Sequence, residues 1–327
     1  MHGRQRNIAT AGRRAARRRR RLALLALALA ALLLLALLAG RTGGGDASRP
    51  DPAGPSAAAE RPPAQEVLGP LPAAVDAADA ILVPFKKPPR GGIGVDVGTG
   101  EVLWRRHPDR PRPIASLTKM MTALVAAELL GPRDRAKITP AVLRYTGSGV
   151  GMLPRGKRVP VEPLLYGLLL PSGNDAARAL AFRAAGSISG MVRRMNTKAA
   201  EMGLRCTRFA GVEGLSPGNR SCPLDLVALA KEVLRTRRLA RIVRRRRAIL
   251  PFPIKGGKLY LYNHNPLLRT RYRGTLGVKT GYTDEAGRCL VAAVRRRGVT
   301  LVAVLLDSPD PGRQARLLLD RGFRAIR

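Results

Sequence analysis

Residues 22–39 of this 327-residue chain are Leu and Ala only, and residues 1–21 before them hold nine arginines, ending in the run Arg17–Arg21, and no acid. As a helix such a stretch rises roughly 27 Å, close to the ~30 Å hydrocarbon core of a bilayer. Arginines that precede an apolar span stay in the cytoplasm. The pattern therefore predicts a basic cytoplasmic segment over 1–21, a transmembrane signal anchor over 22–39, and a remainder that lies outside the cytoplasmic membrane. A cleaved signal peptide that releases the protein to the cell wall is the alternative. Its apolar core would run ~7–15 residues, and no clear small-x-small site follows Ala39 directly.

Residues 40–73 are dense in Gly, Pro, Ala and Ser with no apolar period, which reads as a flexible linker; the folded domain is expected over 74–327. The formal charge of +37 would suggest a nucleic-acid partner. Aromatic residues, at 4%, are too few for stacking platforms, no zinc-finger or RNA-binding pattern interrupts the Arg-rich stretches, and an exported domain meets no such partner. The arginines around Arg235, Arg237, Arg238, Arg241 and Arg244–Arg247 read as a solvated helix face, or as a surface for anionic wall polymers or lipid headgroups. Cys206, Cys222 and Cys289 form no C-x-x-C pair and His2, His107 and His264 are scattered, so neither a metal nor a cofactor is expected. Outside the membrane a Cys206–Cys222 disulfide is chemically allowed; two buried thiols are the alternative.

Gly92–Val97 and Glu101–Trp104 flank a glycine turn and read as a hairpin. From Ser116 the apolar residues Met120, Leu124, Val125 and Leu129 recur at helical spacing until Gly131-Pro132, so a core helix with Ser116 in its first turn is predicted. Residues 135–250 read as mostly helical. Strands return at Gly274–Thr280, Arg288–Val294 and Val299–Leu306, before a last helix over about 311–323. Strands at both ends of a helical middle predict an α+β fold, with one antiparallel sheet built from both chain ends and a mostly helical insert.

Ser116 and Lys119 lie three residues apart on one helical face, with Cβ atoms ~5–6 Å apart, so the amine can reach the hydroxyl. A serine needs a base to become a nucleophile, and a lysine serves if burial or a neighbouring cation lowers its pKa. Taken alone, the pair reads as an N-cap serine followed by a surface lysine. Ser172-Gly173-Asn174 is, by itself, a polar turn before a helix, and Lys279-Thr280-Gly281 a cationic strand end. As chemistry, Ser172 adds a hydroxyl for proton relay and Asn174 an amide. Lys279 and Thr280 can hold a carboxylate, and Gly281 lets a substrate backbone approach the strand edge.

Each of the three patterns occurs once, in the order S-x-x-K, S-x-N, K-T-G, a set associated with β-lactamases and penicillin-binding proteins. With the longer stretches Ala115–Thr122, Leu168–Ala177 and Gly277–Thr283, residues 80–327 resemble the low-molecular-weight penicillin-binding proteins of the D-alanyl-D-alanine carboxypeptidase family. Gly173 in place of Asp is typical of that branch. The resemblance implies a β-lactamase-like fold and removal of the terminal D-alanine from peptidoglycan stem peptides, with β-lactams as covalent inhibitors. It makes Ser116 the acylated nucleophile, Lys119 its base and Ser172 a proton relay. Asn174 would steady Lys119 and the substrate amide, and Lys279 and Thr280 would take the terminal carboxylate beside Gly281. The N–H groups of Ser116 and Tyr282 would form an oxyanion hole. A DD-endopeptidase shares the three patterns, a β-lactamase would need a deacylating base for which no Glu-x-x-x-Asn follows Ser172, and a silent wall-binding module would not need an intact Ser116, Lys119 and Ser172. Longer family members end in an added β-domain and amphipathic helix; here the apolar segment 22–39 would take over the anchoring.

Overall fold

Residues 290–294 are buried without a break, which a strand allows only when both faces of its sheet are covered. The computed structural model describes residues 79–151 and 153–326, and shows why. In chain order the elements are β1 (Gly91–Asp96), β2 (Val102–Arg106), β3 (Arg112–Pro113), a 3-10 turn (Ala115–Thr118), α1 (Lys119–Leu129), β4 (Arg135–Lys137), α2 (Pro140–Leu143), β5 (Arg158–Pro160), α3 (Val161–Leu169), α4 (Asn174–Ala185) and α5 (Ile188–Glu201). Then follow β6 (Arg220–Ser221), α6 (Pro223–Arg235), α7 (Arg237–Val243), β7 (Arg247–Pro251), β8 (Lys258–Tyr262), α8 (Pro266–Arg269), β9 (Thr275–Thr283), β10 (Gly287–Arg296), β11 (Val299–Leu306) and α9 (Pro311–Ala325). The segments expected over 1–21, 22–39 and 40–73, and the domain start at 74, lie outside the described residues. Among those residues no helix is long and apolar enough to cross a membrane.

The main sheet runs β2-β1-β11-β10-β9 with antiparallel neighbours, so the two chain ends meet where Gly91 pairs with Leu306 and Asp96 with Leu301. Alternation along each strand sorts the side chains into two layers. Leu290, Ala292, Val294, Leu301, Ala303 and Leu305 pack with Ala315, Leu318 and Leu319 of α9. Val291, Ala293, Val302 and Val304 face the helical region together with Ile93 and Val95. The α+β architecture expected from the sequence is the one observed.

On that second face α1 is buried from Lys119 to Ala126 and packs against α3, α4, α5, α6 and α7. A helix enclosed on all sides has no polar stripe, which matches its run Met120-Met121-Thr122-Ala123-Leu124-Val125-Ala126. Two features differ from the sequence reading. Ser116 sits in the 3-10 turn, with Lys119 the first α-helical residue. The end of the supposedly helical middle is instead the hairpin β7–β8, in which Ala248, Leu250, Leu259 and Leu261 turn inward while Ile249, Tyr260 and Tyr262 face solvent. Period-2 alternation and the turn at Gly256 and Gly257, both at positive φ, select the hairpin over a helix.

Candidate active site

The 3-10 turn places Ser116, half-buried, over the amino end of α1, and its tight geometry is locked by Thr118 Oγ1, which donates to Ala115 O at 2.8 Å. One turn on, Lys119 is fully buried, and its Nζ donates to Ser116 Oγ at 2.8 Å and to the Glu213 carbonyl at 2.6 Å. Burial holds the Lys119 amine well below the ordinary lysine range, with the charge of nearby Lys279 pushing the same way. A neutral amine in contact with a hydroxyl is a base poised to take its proton.

Ser172, Gly173 and Asn174 form the corner between α3 and α4. Ser172 adopts a left-handed φ of +68°, uncommon for a residue with a side chain, and its buried Oγ has no hydrogen-bond partner within the protein. Gly173 is required by packing: a Cβ there would lie 2.7 Å from Val150 Cγ2 and 2.8 Å from Asp175 Oδ1. Asn174 Nδ2 donates to Thr146 O at 2.6 Å, and Asn174 N to Ser148 O at 2.7 Å. The expected bond from Asn174 to Lys119 is not among those the described residues make; the Glu213 carbonyl holds the amine instead. Neither Glu213 nor Asp175 was singled out from the sequence. Buried Asp175 accepts from Val150 N (2.8 Å), Gly151 N (3.1 Å) and Ala176 N (2.8 Å), which pins the 146–151 loop beside Asn174.

β9 closes the remaining side. It is the edge strand of the sheet and lies against the 3-10 turn, so close at Gly281 that a Cβ would sit 3.0 Å from Ser116 N and 3.1 Å from Ile114 O. Lys279 is buried, its Nζ donates to Thr280 O at 2.8 Å, and burial lowers its pKa to about 7. Thr280 and Gly281 are half-buried, and Tyr282 is exposed with its hydroxyl donating to Asp284 Oδ1 at 2.9 Å. The structure thus brings Ser116, Lys119 and the 279–282 strand together, with the 172–175 corner near enough for the Asp175 charge to act on the Lys119 amine. Cys206 and Cys222 are joined in a disulfide whose loop carries Glu213, while Cys289 stays a buried thiol.

An α+β sheet with a helical insert and a serine–lysine pair under an edge strand defines the penicillin-binding class of serine acyl-enzymes. Residues 90–310 match the D-alanyl-D-alanine carboxypeptidase family, peptidase family S11, and the chain belongs to it. It is 34% identical over 253 residues to the D-alanyl-D-alanine carboxypeptidase of Streptomyces sp. strain K15, covering 71% of this chain and 86% of the relative. It is 34% identical over 245 residues to the carboxypeptidase DacB2 of Mycobacterium tuberculosis, covering 72% and 82% respectively. The crystal structure of the Streptomyces K15 DD-transpeptidase superposes with a TM-score of 0.69 at 32% identity, over 75% of this chain and all of the other.

Proposed function

We propose that the protein releases the terminal D-alanine from peptidoglycan stem pentapeptides through an acyl-enzyme on Ser116. The observation that carries this reading is the desolvated Lys119 amine, 2.8 Å from Ser116 Oγ and beneath an edge strand bearing Lys279 and Thr280. An extended peptide adds to that edge with its last carboxylate on Lys279 and Thr280. As Oγ attacks the penultimate carbonyl, Lys119 takes the hydroxyl proton, and the N–H groups of Ser116 and Tyr282 receive the developing oxyanion. The C–N bond then breaks, the proton passes by way of Lys119 and Ser172 to the departing D-alanine amine, and an ester on Ser116 remains. Ser172 suits the relay because its orphaned Oγ is free to bond substrate. Water completes the cycle, with Lys119 again accepting the proton, and no cofactor or metal enters. Penicillin presents a carbonyl and a carboxylate to the same groups, so it should acylate Ser116 and stop there.

The experiment compares D-alanine release from a pentapeptide with cleavage of purified cross-linked dimers and with transfer of the acyl group to an added amine. Pentapeptide hydrolysis is expected to dominate. Cutting of dimers alone would make the enzyme an endopeptidase, the name borne by a Pseudomonas aeruginosa relative at 31% identity.

The same reading places the domain on the outer face of the cytoplasmic membrane, tethered by residues 22–39, where its substrate is. The exposed cations Arg244–Arg247 and Lys258, interleaved with exposed Ile249, Tyr260 and Tyr262, support docking of the β7–β8 hairpin on anionic wall polymers.

A further inference from the structure

A cleft of about 510 Å³ is lined by Arg144, Tyr145, Thr146, Arg178, Glu213 and Leu215, and Gly214, between the last two, packs so closely on the nucleophile's turn that a Cβ there would lie 2.8 Å from Ser116 N. Its walls are continuous with the site: the Thr146 carbonyl accepts from Asn174 Nδ2 and the Glu213 carbonyl from Lys119 Nζ. No residue of β9 lines it, so the groups assigned to the terminal carboxylate lie elsewhere. A peptide bound to Ser116 with its carboxyl end on β9 has only its acyl half left to fill this space.

The charges in the cleft are unequal. Arg178 is committed: Nη1 pairs with Glu213 Oε1 at 3.0 Å, and Nε and Nη2 donate to Ala141 O at 3.2 and 2.9 Å. That pair neutralises Glu213. Arg144 is exposed and makes no ion pair among the described residues, so it leaves the cleft with one uncompensated cation. Exposed Leu215 and the half-buried Tyr145 ring supply apolar surface to cover methylenes. Cation plus apolar wall is the complement of an aliphatic chain that ends in a carboxylate.

The geometry points to a side-chain subsite: the cleft takes the residue that precedes D-Ala-D-Ala, and Arg144 selects a side chain ending in a carboxylate over one ending in an ammonium. This rests on the carboxypeptidase reading above and names the stem peptide that reading leaves open. Arg144 is the specificity residue, whereas Arg178 orders the Glu213 loop and so supports Lys119.

Three acyl-D-Ala-D-Ala peptides test it, identical except for 2-aminoadipyl, norleucyl or lysyl at the preceding position, with kcat/KM for D-alanine release as the readout. The full-length enzyme should prefer the aminoadipyl peptide to the lysyl one by about tenfold, as one charge-assisted contact provides. Arg144→Gln should bring the aminoadipyl rate down to the norleucyl one, and Arg144→Glu should reverse the order of aminoadipyl and lysyl. Because Arg144 is exposed, both variants should keep the parent Tm. Equal rates for all three peptides, or an order that survives Arg144→Glu, overturns the subsite. Failure of every peptide to release D-alanine, with Ser116 still acylated by penicillin, overturns the carboxypeptidase reading and the subsite with it.

Discussion

Two lysines buried within one site oppose each other, and that opposition makes their roles measurable. In the proposed mechanism Lys119 must be neutral to take a proton, so activity should rise as pH climbs through its lowered pKa. In the same mechanism Lys279 must be protonated to attract a carboxylate, and with its pKa lowered to about 7 this attraction should fade above neutrality. For a peptide with a free terminal carboxylate, kcat/KM should therefore decline above pH about 7, while the corresponding terminal amide shows no such decline. Parallel profiles for the two would remove Lys279 from carboxylate binding. Ser116→Ala and Lys119→Arg should each lower penicillin acylation by roughly 10³-fold or more with the fold intact, since arginine fills the space and cannot deprotonate. A folded Lys119→Arg enzyme that acylates normally would end the base assignment. Burying Lys279 also costs stability, because its folded pKa lies below the unfolded value of 10.5. The penalty is complete below pH about 7 and disappears as pH approaches 10.5. Lys279→Met should then raise Tm at pH 6 more than at pH 10 while impairing carboxypeptidase activity. Thermal melts at the two values decide it. Ser116 and Lys119 were legible because their partnership is local, one helical turn. Glu213 was not: only its backbone oxygen meets Lys119, and a backbone contact across 94 residues leaves no side-chain signature.

At the level of elements, the site depends on how closely β9 approaches the 3-10 turn. A Cβ at residue 281 would press on Ser116 N, Ala115 Cβ and Ile114 O at 3.0–3.1 Å. Gly281→Ala should displace the strand from the nucleophile and reduce acylation at least tenfold, far more than it reduces Tm. Wild-type acylation rates in that variant would show that the contact is slack. The loop between Cys206 and Cys222 is a second such device, since it carries the Glu213 carbonyl to Lys119 and its disulfide spans a separation of 16 residues. Closing a loop of that length contributes ~3 kcal/mol, so the Cys206→Ser/Cys222→Ser double variant should lose roughly 6–12 °C in Tm and some acylation rate. An unchanged melt under reducing conditions would count against the link. The sheet strands and α1 could be read from their periodicity. The β7–β8 hairpin carries the same kind of signal in its alternation and its Gly256-Gly257 turn, but the two helices and the run of arginines before it mask where it begins.

For the whole molecule, charge and compartment belong together. The arginine-rich surface includes one member that is structural: Arg238 Nε pairs with Glu162 Oε2 at 2.7 Å and Nη1 donates to Leu130 O at 2.5 Å, tying α7 to α3 and to the end of α1. Arg235, Arg237, Arg241 and Arg244–Arg247 are exposed and free to meet polyanions. Protease added to spheroplasts should shave the domain from the cell surface, leaving residues 1–39 with the membrane. A mature amino terminus downstream of Ala39 would replace the tether with a secreted enzyme. Retention of wall-bound protein should also fall as salt is raised, because exposed charges are screened over ~10 Å at 0.1 M.

The sequence by itself determined the pairing of Ser116 with Lys119, the antiparallel sheet from both chain ends, and the family, because each depends on short-range spacing or on period. Tertiary structure decided the rest. It put Lys119 out of water, set the Glu213 carbonyl on its amine, held Ser172 at a positive φ, and opened a cleft in which Arg144 makes no ion pair among the described residues. Those are properties of distance and burial between segments remote in the chain, and they come into being only when the helical insert closes over the sheet.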